Sequence, residues 1–398
     1  MVAVYLRWTG CRAALHRGWW LVTSVYLVLD AGLSPSQLVL VTVAQGAVAL
    51  TAEVPAGVVA DTLSRKWSLV VSQLLMGTAM IATGLVTGFP ALLLTQMLWG
   101  LAWTFASGAD VAWITDELAD PDRVPAVLTR AGRADLAGAA VGMVGFGMLA
   151  SLTGRSAAMV LAGAGAVLLG LYVVRRFPER RFRPAPARAR WATARTVLVR
   201  GFSLVRRRRA IRVMLVATLL VNGAVDAAGR LLTVRLIDLG FPMTPLASYT
   251  ALSVLALLAG VAALRAVEAR IHRAETARQG YALACAAGAV GLVGLAAAPD
   301  PLSGSIAVLL FSGIARPLTR TLGTIWVNGE TTGDVRATVH SVLAQAEYTG
   351  AILGGAGVAL VARLVPLPGA LIACALLYLV TILVIRTRPV DNSVEKRA

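Results

Sequence analysis

With 398 residues, of which 58% are hydrophobic and 14% charged, and a mean hydropathy of +0.75, the chain has too little polar surface for a water-facing globule, since soluble domains are roughly 45–50% apolar and about 25% charged. The bilayer is its natural solvent. A net charge of +17 would suit nucleic acid, but the basic residues cluster between apolar runs, as membrane orientation requires, so no nucleic-acid partner is expected.

Twelve apolar runs reach the roughly 20 residues that span a bilayer: 14–32, 37–59, 67–87, 90–114, 130–151, 156–174, 211–233, 244–264, 277–298, 303–325, 338–361 and 368–386. The first lacks a following small-x-small cleavage site and reads as a retained helix. Short turns such as "GLSP" (32–35), "GFP" (88–90) and "PDPLSG" (299–304) close the outer side. With the N-terminus inside, the inner segments hold 31 of the 37 basic residues, and 175–212 alone holds 14. The outer loops hold only Arg155 and Arg363. An even number of spans puts both termini on the cytoplasmic side of the cell's inner membrane.

The expected fold is all-α: a polytopic membrane protein of twelve transmembrane helices in two pseudo-symmetric six-helix bundles, 1–174 and 211–388. A basic cytoplasmic linker (175–210) joins them, and 389–398 forms a cytoplasmic tail. In the linker, Trp191, Ala194, Leu198, Phe202 and Val205 make an apolar stripe opposite Arg200, which reads as an amphipathic helix on the inner leaflet. A calmodulin-like target and a plain tether are the alternatives. The halves repeat. "ADLAGAAVG" (134–142) matches "AEYTGAILG" (346–354) at an offset of 212 residues, and "LDAGLSPSQL" (29–38) matches "IDLGFPMTPL" (237–246) at 208. Parallel six-helix repeats are the two-bundle transporter plan.

Between the second and third runs lies "AEVPAGVVADTLSRKWSLV" (52–70). Its "GVVADTLSRK", with Gly57, Asp61, Arg65 and Lys66, resembles the loop 2–3 signature of the major facilitator superfamily, with Ser64 where that pattern usually has glycine. "EVP" (53–55), "SGADVAWITDEL" (107–118) and "RATVHS" (336–341) look like its drug-efflux-like branch. The charges at this junction form a candidate cytoplasmic gate: Asp61, Arg65 and Lys66 pairing with Asp116, Glu117 and Arg336, and separating when the bundles part. Gly57 is read as permitting close helix approach. In the second half, Glu268, His272 and Arg273 keep only the acid-x3-basic spacing.

Ionisable groups within spans are expensive and usually functional. Glu53, Asp110, Asp226, Arg230, Arg316 and Glu347 are the proton-coupling or substrate candidates, and fixed interhelical pairs are the bland reading. Asp226 and Arg230, at i,i+4, can pair. Glu347 and Asp110 rank ahead of Asp226 as proton carriers. Cys11, Cys285 and Cys374, like His16, His272 and His340, are scattered, so neither disulfide, metal nor cofactor is expected. No P-loop and no nucleophile or metal-ligand constellation occurs, which excludes ATP drive by this chain and an embedded enzyme. The reading is a secondary transporter working by alternating access, with proton-coupled export of an amphipathic small organic molecule. An importer or facilitator of a small solute is the alternative. The expected partners are the lipid bilayer, the substrate and protons, with the chain acting as a monomer.

Overall fold

The computed structural model describes residues 1–118, 120–184, 186, 192, 196, 199–201, 203–240, 244–268, 274–331 and 333–386. Among these, every regular element is helical. In chain order they are α1 (Val2–Leu29), α2 (Pro35–Thr62), α3 (Arg65–Leu85), α4 (Phe89–Ala106), α5 (Ala109–Leu118), α6 (Val124–Thr153), α7 (Arg155–Arg176), α8 (Arg209–Asp238), α9 (Pro245–Glu268), α10 (Ala274–Ala297), α11 (Pro301–Val308), α12 (Arg316–Glu330), α13 (Gly333–Leu364) and α14 (Leu367–Arg386). A π-helical turn, Leu309–Ala315, joins α11 to α12. Of the linker stripe only Val205 falls within the described residues. Trp191, Ala194, Leu198 and Phe202 lie outside them, as do His272, Arg273 and the tail.

Ten stretches are long and apolar enough to cross a membrane, with α4–α5 and α11–α12 each forming one stretch. α1 and α13, of 28 and 32 residues, complete the twelve. The protein is therefore an all-α polytopic membrane protein with twelve transmembrane helices in two pseudo-symmetric bundles. Contacts divide it into two compact units, Met1–Ala194 with Gly240–Val254, and Arg195–Leu239 with Leu255–Ala398.

Helix starts follow the local sequence. Ser34 and Gln37 form a reciprocal capping box at α2, with Pro35 behind it. Ser64 accepts from the Trp67 N–H at 3.0 Å to begin α3, and Asp300 accepts from Leu302 and Ser303 at 2.9 and 3.0 Å to begin α11. The matched turns of the repeat share a backbone conformation that favours glycine: φ is +60° at Gly32 and +77° at Gly240.

Within each unit the same helices cross. α1 packs along α6 and α3 along α7 in the first, and α8 along α13 and α10 along α14 in the second. A Cβ at Gly138 would lie 2.1 Å from the Gly10 carbonyl oxygen, and one at Gly142 2.0 Å from that of Ala14. In the second unit, Gly350 stands in the same relation to Leu219 (2.2 Å) and Gly354 to the Gly223 Cα (2.5 Å). Small residues that let backbones touch are the means of helix association in lipid.

Three expected boundaries change. The first span begins at Val2 rather than 14 because Arg12 is accommodated inside the bundle, its guanidinium 4.7 Å from the Trp8 ring centroid. The fourth span is not continuous: α4 ends at Ala106 and the chain turns through Gly108 at φ +73° before α5. The tenth carries its π-helical turn next to Pro317, which lacks the N–H that would bond the Gly313 carbonyl.

Candidate functional site

At the α2–α3 junction, the arginine-rich end of the first unit, one guanidinium organises three segments. Arg65 donates to the Asp116 carboxylate and, at 2.9 Å, to the Ala112 carbonyl, both on α5. It also reaches Asp61, four residues back on α2, at 3.4 Å. Its guanidinium carbon lies 5.9 Å from the Phe182 ring centroid. The chain beyond α7 completes the cluster. Glu179 accepts from the Lys66 backbone N–H at 3.0 Å and from the Ser64 hydroxyl, which puts a carboxylate at the positive end of α3. Glu117 accepts from the backbone N–H groups of Arg180 and Arg181 at 2.8 and 3.0 Å. Trp113 donates to the Pro178 carbonyl at 2.8 Å, with its ring 4.2 Å from that of Phe177.

Of the residues expected at the gate, Asp61, Arg65 and Asp116 thus come together, and Lys66 takes part through its backbone. Arg336, in the second unit, donates to the carbonyls of Asn328 and Thr331 at 3.4 and 3.3 Å at the end of α12. Gly57 corrects the expectation of close approach: a Cβ there meets nothing within 4 Å. Glu179 was missed, although it is the lone acid in a segment of 14 arginines.

Two candidate acids brace the break in the fourth span. The Ser107 hydroxyl donates to Glu53 at 2.7 Å. Asp110, just past the break, accepts from the Val111 N–H at 2.8 Å and lies 3.5 Å from Arg12 of α1. Asp110 therefore has a cation beside it that the sequence reading did not place there. The apolar-run reading started the first span after Arg12 and so separated the two. The available signal was spacing: Trp8, Arg12 and His16 recur every four residues on one face of α1, as do Trp99 and Trp103 on α4. The His16 ring stacks on Trp99 at 5.3 Å and Trp99 on Trp103 at 5.8 Å.

In the second unit the span charges gather from three helices. Asp226 of α8 is 3.9 Å from Arg316, the residue that begins α12 after the π-helical turn. Among the described residues the cation within 4.0 Å of Asp226 is Arg316, while Arg230, the expected i,i+4 partner, acts on it at longer range. Arg230 is turned into the core and is only 5% exposed. Glu347 of α13 has Arg320 and Asp226 as its electrostatic neighbours. Among the described residues it forms no hydrogen bond and no ion pair within 4.0 Å. In the last turn of α8, Arg235 donates to the carbonyls of Leu295, Ala296 and Ala298 at 3.2, 3.3 and 2.8 Å, closing the C-terminal end of α10.

A family model described as Major Facilitator Superfamily matches residues 13–355. No curated protein matches the sequence. Among solved structures, a mutant of the nucleoside transporter NupG is similar with 16% identity and a TM-score of 0.80, covering 97% of this chain and 99% of that one. The peptide transporter POT in complex with sulfate is similar with 13% identity and a TM-score of 0.73, over 96% and 92%. A bacterial homologue of the human lysosomal transporter Spinster is similar with 13% identity and a TM-score of 0.67, over 96% and 94%. At these identities the likeness is one of fold.

Proposed function

The chain belongs to the major facilitator superfamily and is a secondary transporter, not an enzyme, and on that premise we propose that it exports an amphipathic small organic molecule across the cell's inner membrane by proton-coupled alternating access. In this reading it works as a monomer, and both termini and the arginine-rich end face the cytoplasm. The "EVP" and "RATVHS" segments support the efflux-like branch. The observation that carries proton coupling is the cluster in the second unit, where Asp226 stands 3.9 Å from Arg316 and Glu347 lies near Arg320 without a direct partner among the described residues. A carboxylate that gains a proton releases its hold on a neighbouring arginine, and that arginine is then free to engage another acid. We assign Glu347 as the proton carrier, with Asp226 and Arg316 as the pair that its charge biases. The gate at Asp61, Arg65 and Asp116 would close the cytoplasmic side.

Import or facilitated passage of a small solute is the second reading, favoured by the solved structures of a nucleoside transporter and a peptide transporter among the similar folds. Vesicles containing the full chain, a panel of amphipathic compounds and an internal pH dye separate the two. We expect substrate movement to carry protons the opposite way, and Glu347→Gln to abolish gradient-driven flux while sparing substrate exchange at equal pH. If Glu53→Gln, Asp110→Asn, Asp226→Asn and Glu347→Gln all still concentrate substrate at the wild-type rate, proton coupling through these carboxylates is wrong; if the wild type itself only equilibrates substrate and moves no protons, a facilitator is the better reading.

A further inference from the structure

Beside the Arg65–Asp116 pair the first unit has a cleft of about 620 Å³, lined by Thr115, Asp116, Arg180, Arg181, Phe182 and Arg183. That volume falls within the roughly 300–1,000 Å³ of small-molecule sites. The segment that supplies the arginines is held at several points. Trp113 fixes the Pro178 carbonyl, Glu179 caps α3, and Glu117 holds the backbone N–H groups of Arg180 and Arg181. The three guanidiniums are therefore presented from an anchored backbone.

Their guanidiniums have no carboxylate partner among the described residues, because the nearby Glu117 and Glu179 are taken up by backbone N–H groups. Arg181 donates to the Leu118 carbonyl at 3.5 Å. The one acid in the wall, Asp116, is already engaged by Arg65. Like charges brought together repel, and an anion entering the cleft relieves that repulsion. The planar fork of arginine matches the oxygens of a phosphate. The cleft lies just past the end of a membrane-spanning helix, α7, where basic pockets meet lipid headgroups.

We propose that this cleft is a binding site for a phosphate-bearing anion, held by Arg180, Arg181 and Arg183. The ligand would sit beside Asp116, repelling that carboxylate and attracting Arg65, so that its occupancy biases the gate pair. The site does not depend on the direction or the substrate of transport.

The test uses the full-length protein in phosphatidylcholine nanodiscs with two arms. One measures the dissociation constant of a fluorescent phosphatidylglycerol incorporated in the disc. The other measures that of inorganic phosphate added outside. Arg180→Gln/Arg183→Gln is compared with Arg130→Gln/Arg133→Gln, which removes two exposed arginines of α6 outside the cleft. We expect the cleft variant to bind about tenfold more weakly or worse, because a charged hydrogen bond accounts for roughly one decade of affinity, and the control to change by less than about twofold. If the double variant does not fold, Arg183→Gln alone carries the comparison. Binding in both arms assigns the phosphate group as such, in the lipid arm alone a headgroup, and in the soluble arm alone a free anion. Binding in neither arm, a cleft variant equal to wild type, or an equal loss in the control overturns the site.

Discussion

The two bundles repeat their packing and differ in their chemistry. Where α6 crosses α1 and α13 crosses α8, corresponding glycines, Gly138 and Gly350, Gly142 and Gly354, touch the backbone of the neighbouring helix. Asp135 and Glu347 precede the first glycine of each pair by three residues and so share a register. A second crossing repeats as well: Gly100 lies against Gln45 in the first unit, and Gly313 against Ala256 in the second. The charges do not repeat. The first unit concentrates them at its arginine-rich end, in the Asp61–Arg65–Asp116 cluster and the Arg12–Asp110 pair. The second places Asp226, Arg316 and Glu347 within its spans and keeps of the gate only Glu268 among the described residues. A backbone contact has no room for a side chain, whereas a charged group can be moved to any place where a partner meets it.

The largest effect should come from filling those contacts. Gly142→Ala and Gly350→Ala each drive a methyl to within about 2 Å of a backbone carbonyl, and overpacking of this kind costs roughly 1–3 kcal/mol or more. Both variants should lower the unfolding temperature of the detergent-solubilised protein by comparable amounts, while Gly57→Ala, with open space around its Cβ, leaves it unchanged. Loss in only one bundle would break the equivalence of the two crossings.

Next in size is the gate, where the bundles should part company. Arg65 and Asp116 are partly buried, with side-chain exposures of 16% and 32%. A double-mutant cycle on Arg65→Gln and Asp116→Asn should give a coupling of roughly 1–2 kcal/mol in stability and slow transport. Asp61→Asn should stay folded and also slow transport. Glu268→Gln, in the corresponding place of the second half, should leave transport at the wild-type rate. A loss there equal to that of Asp61→Asn would show that the second loop kept its latch.

The contrast also explains what the sequence could tell. The twelve spans were legible because each needs about 20 apolar residues, and the repeat because glycines at backbone contacts leave a fixed spacing. Arg65 and Asp116 were legible as gate candidates because each lies in a segment, 57–66 and 107–118, that resembles the superfamily. The break at Ser107–Gly108 was hidden in a continuous apolar run, since the polar groups that satisfy it come from α1 and α2. The Asp226–Arg316 pair was hidden for a similar reason. Local spacing offered Arg230, and only the fold, with its π-helical turn before Arg316, brings the more distant cation closer. Glu179 lay in a segment read for its charge alone, and nothing in that reading linked it to the start of α3, more than a hundred residues earlier.

The smallest expected effect is at the far end of the repeat. Asp300 caps α11, whereas α4, the corresponding helix, begins at Gly88 with no side-chain cap. Hydrogen bonds from the Ser303 backbone and hydroxyl and the Leu302 N–H hold the Asp300 carboxyl below its ordinary range. A carboxyl whose pKa is depressed on folding stabilises the folded state above its unfolded pKa, about 3.9 for Asp, and that contribution is lost as pH falls through the folded value. Asp300→Ala should therefore unfold slightly more easily than wild type at neutral pH, with the gap closing under acid conditions. Gly88→Asp should do the reverse in the first bundle and add about a few tenths of a kcal/mol, because a Cβ at Gly88 meets nothing within 4 Å and its φ of −68° suits any residue. Unfolding curves of wild type and both variants at neutral and acid pH decide the matter. A gap between wild type and Asp300→Ala that persists unchanged in acid would mean that the carboxylate is not what stabilises this helix end, and a Gly88→Asp variant with no gain at neutral pH would mean that the two helix starts are not interchangeable.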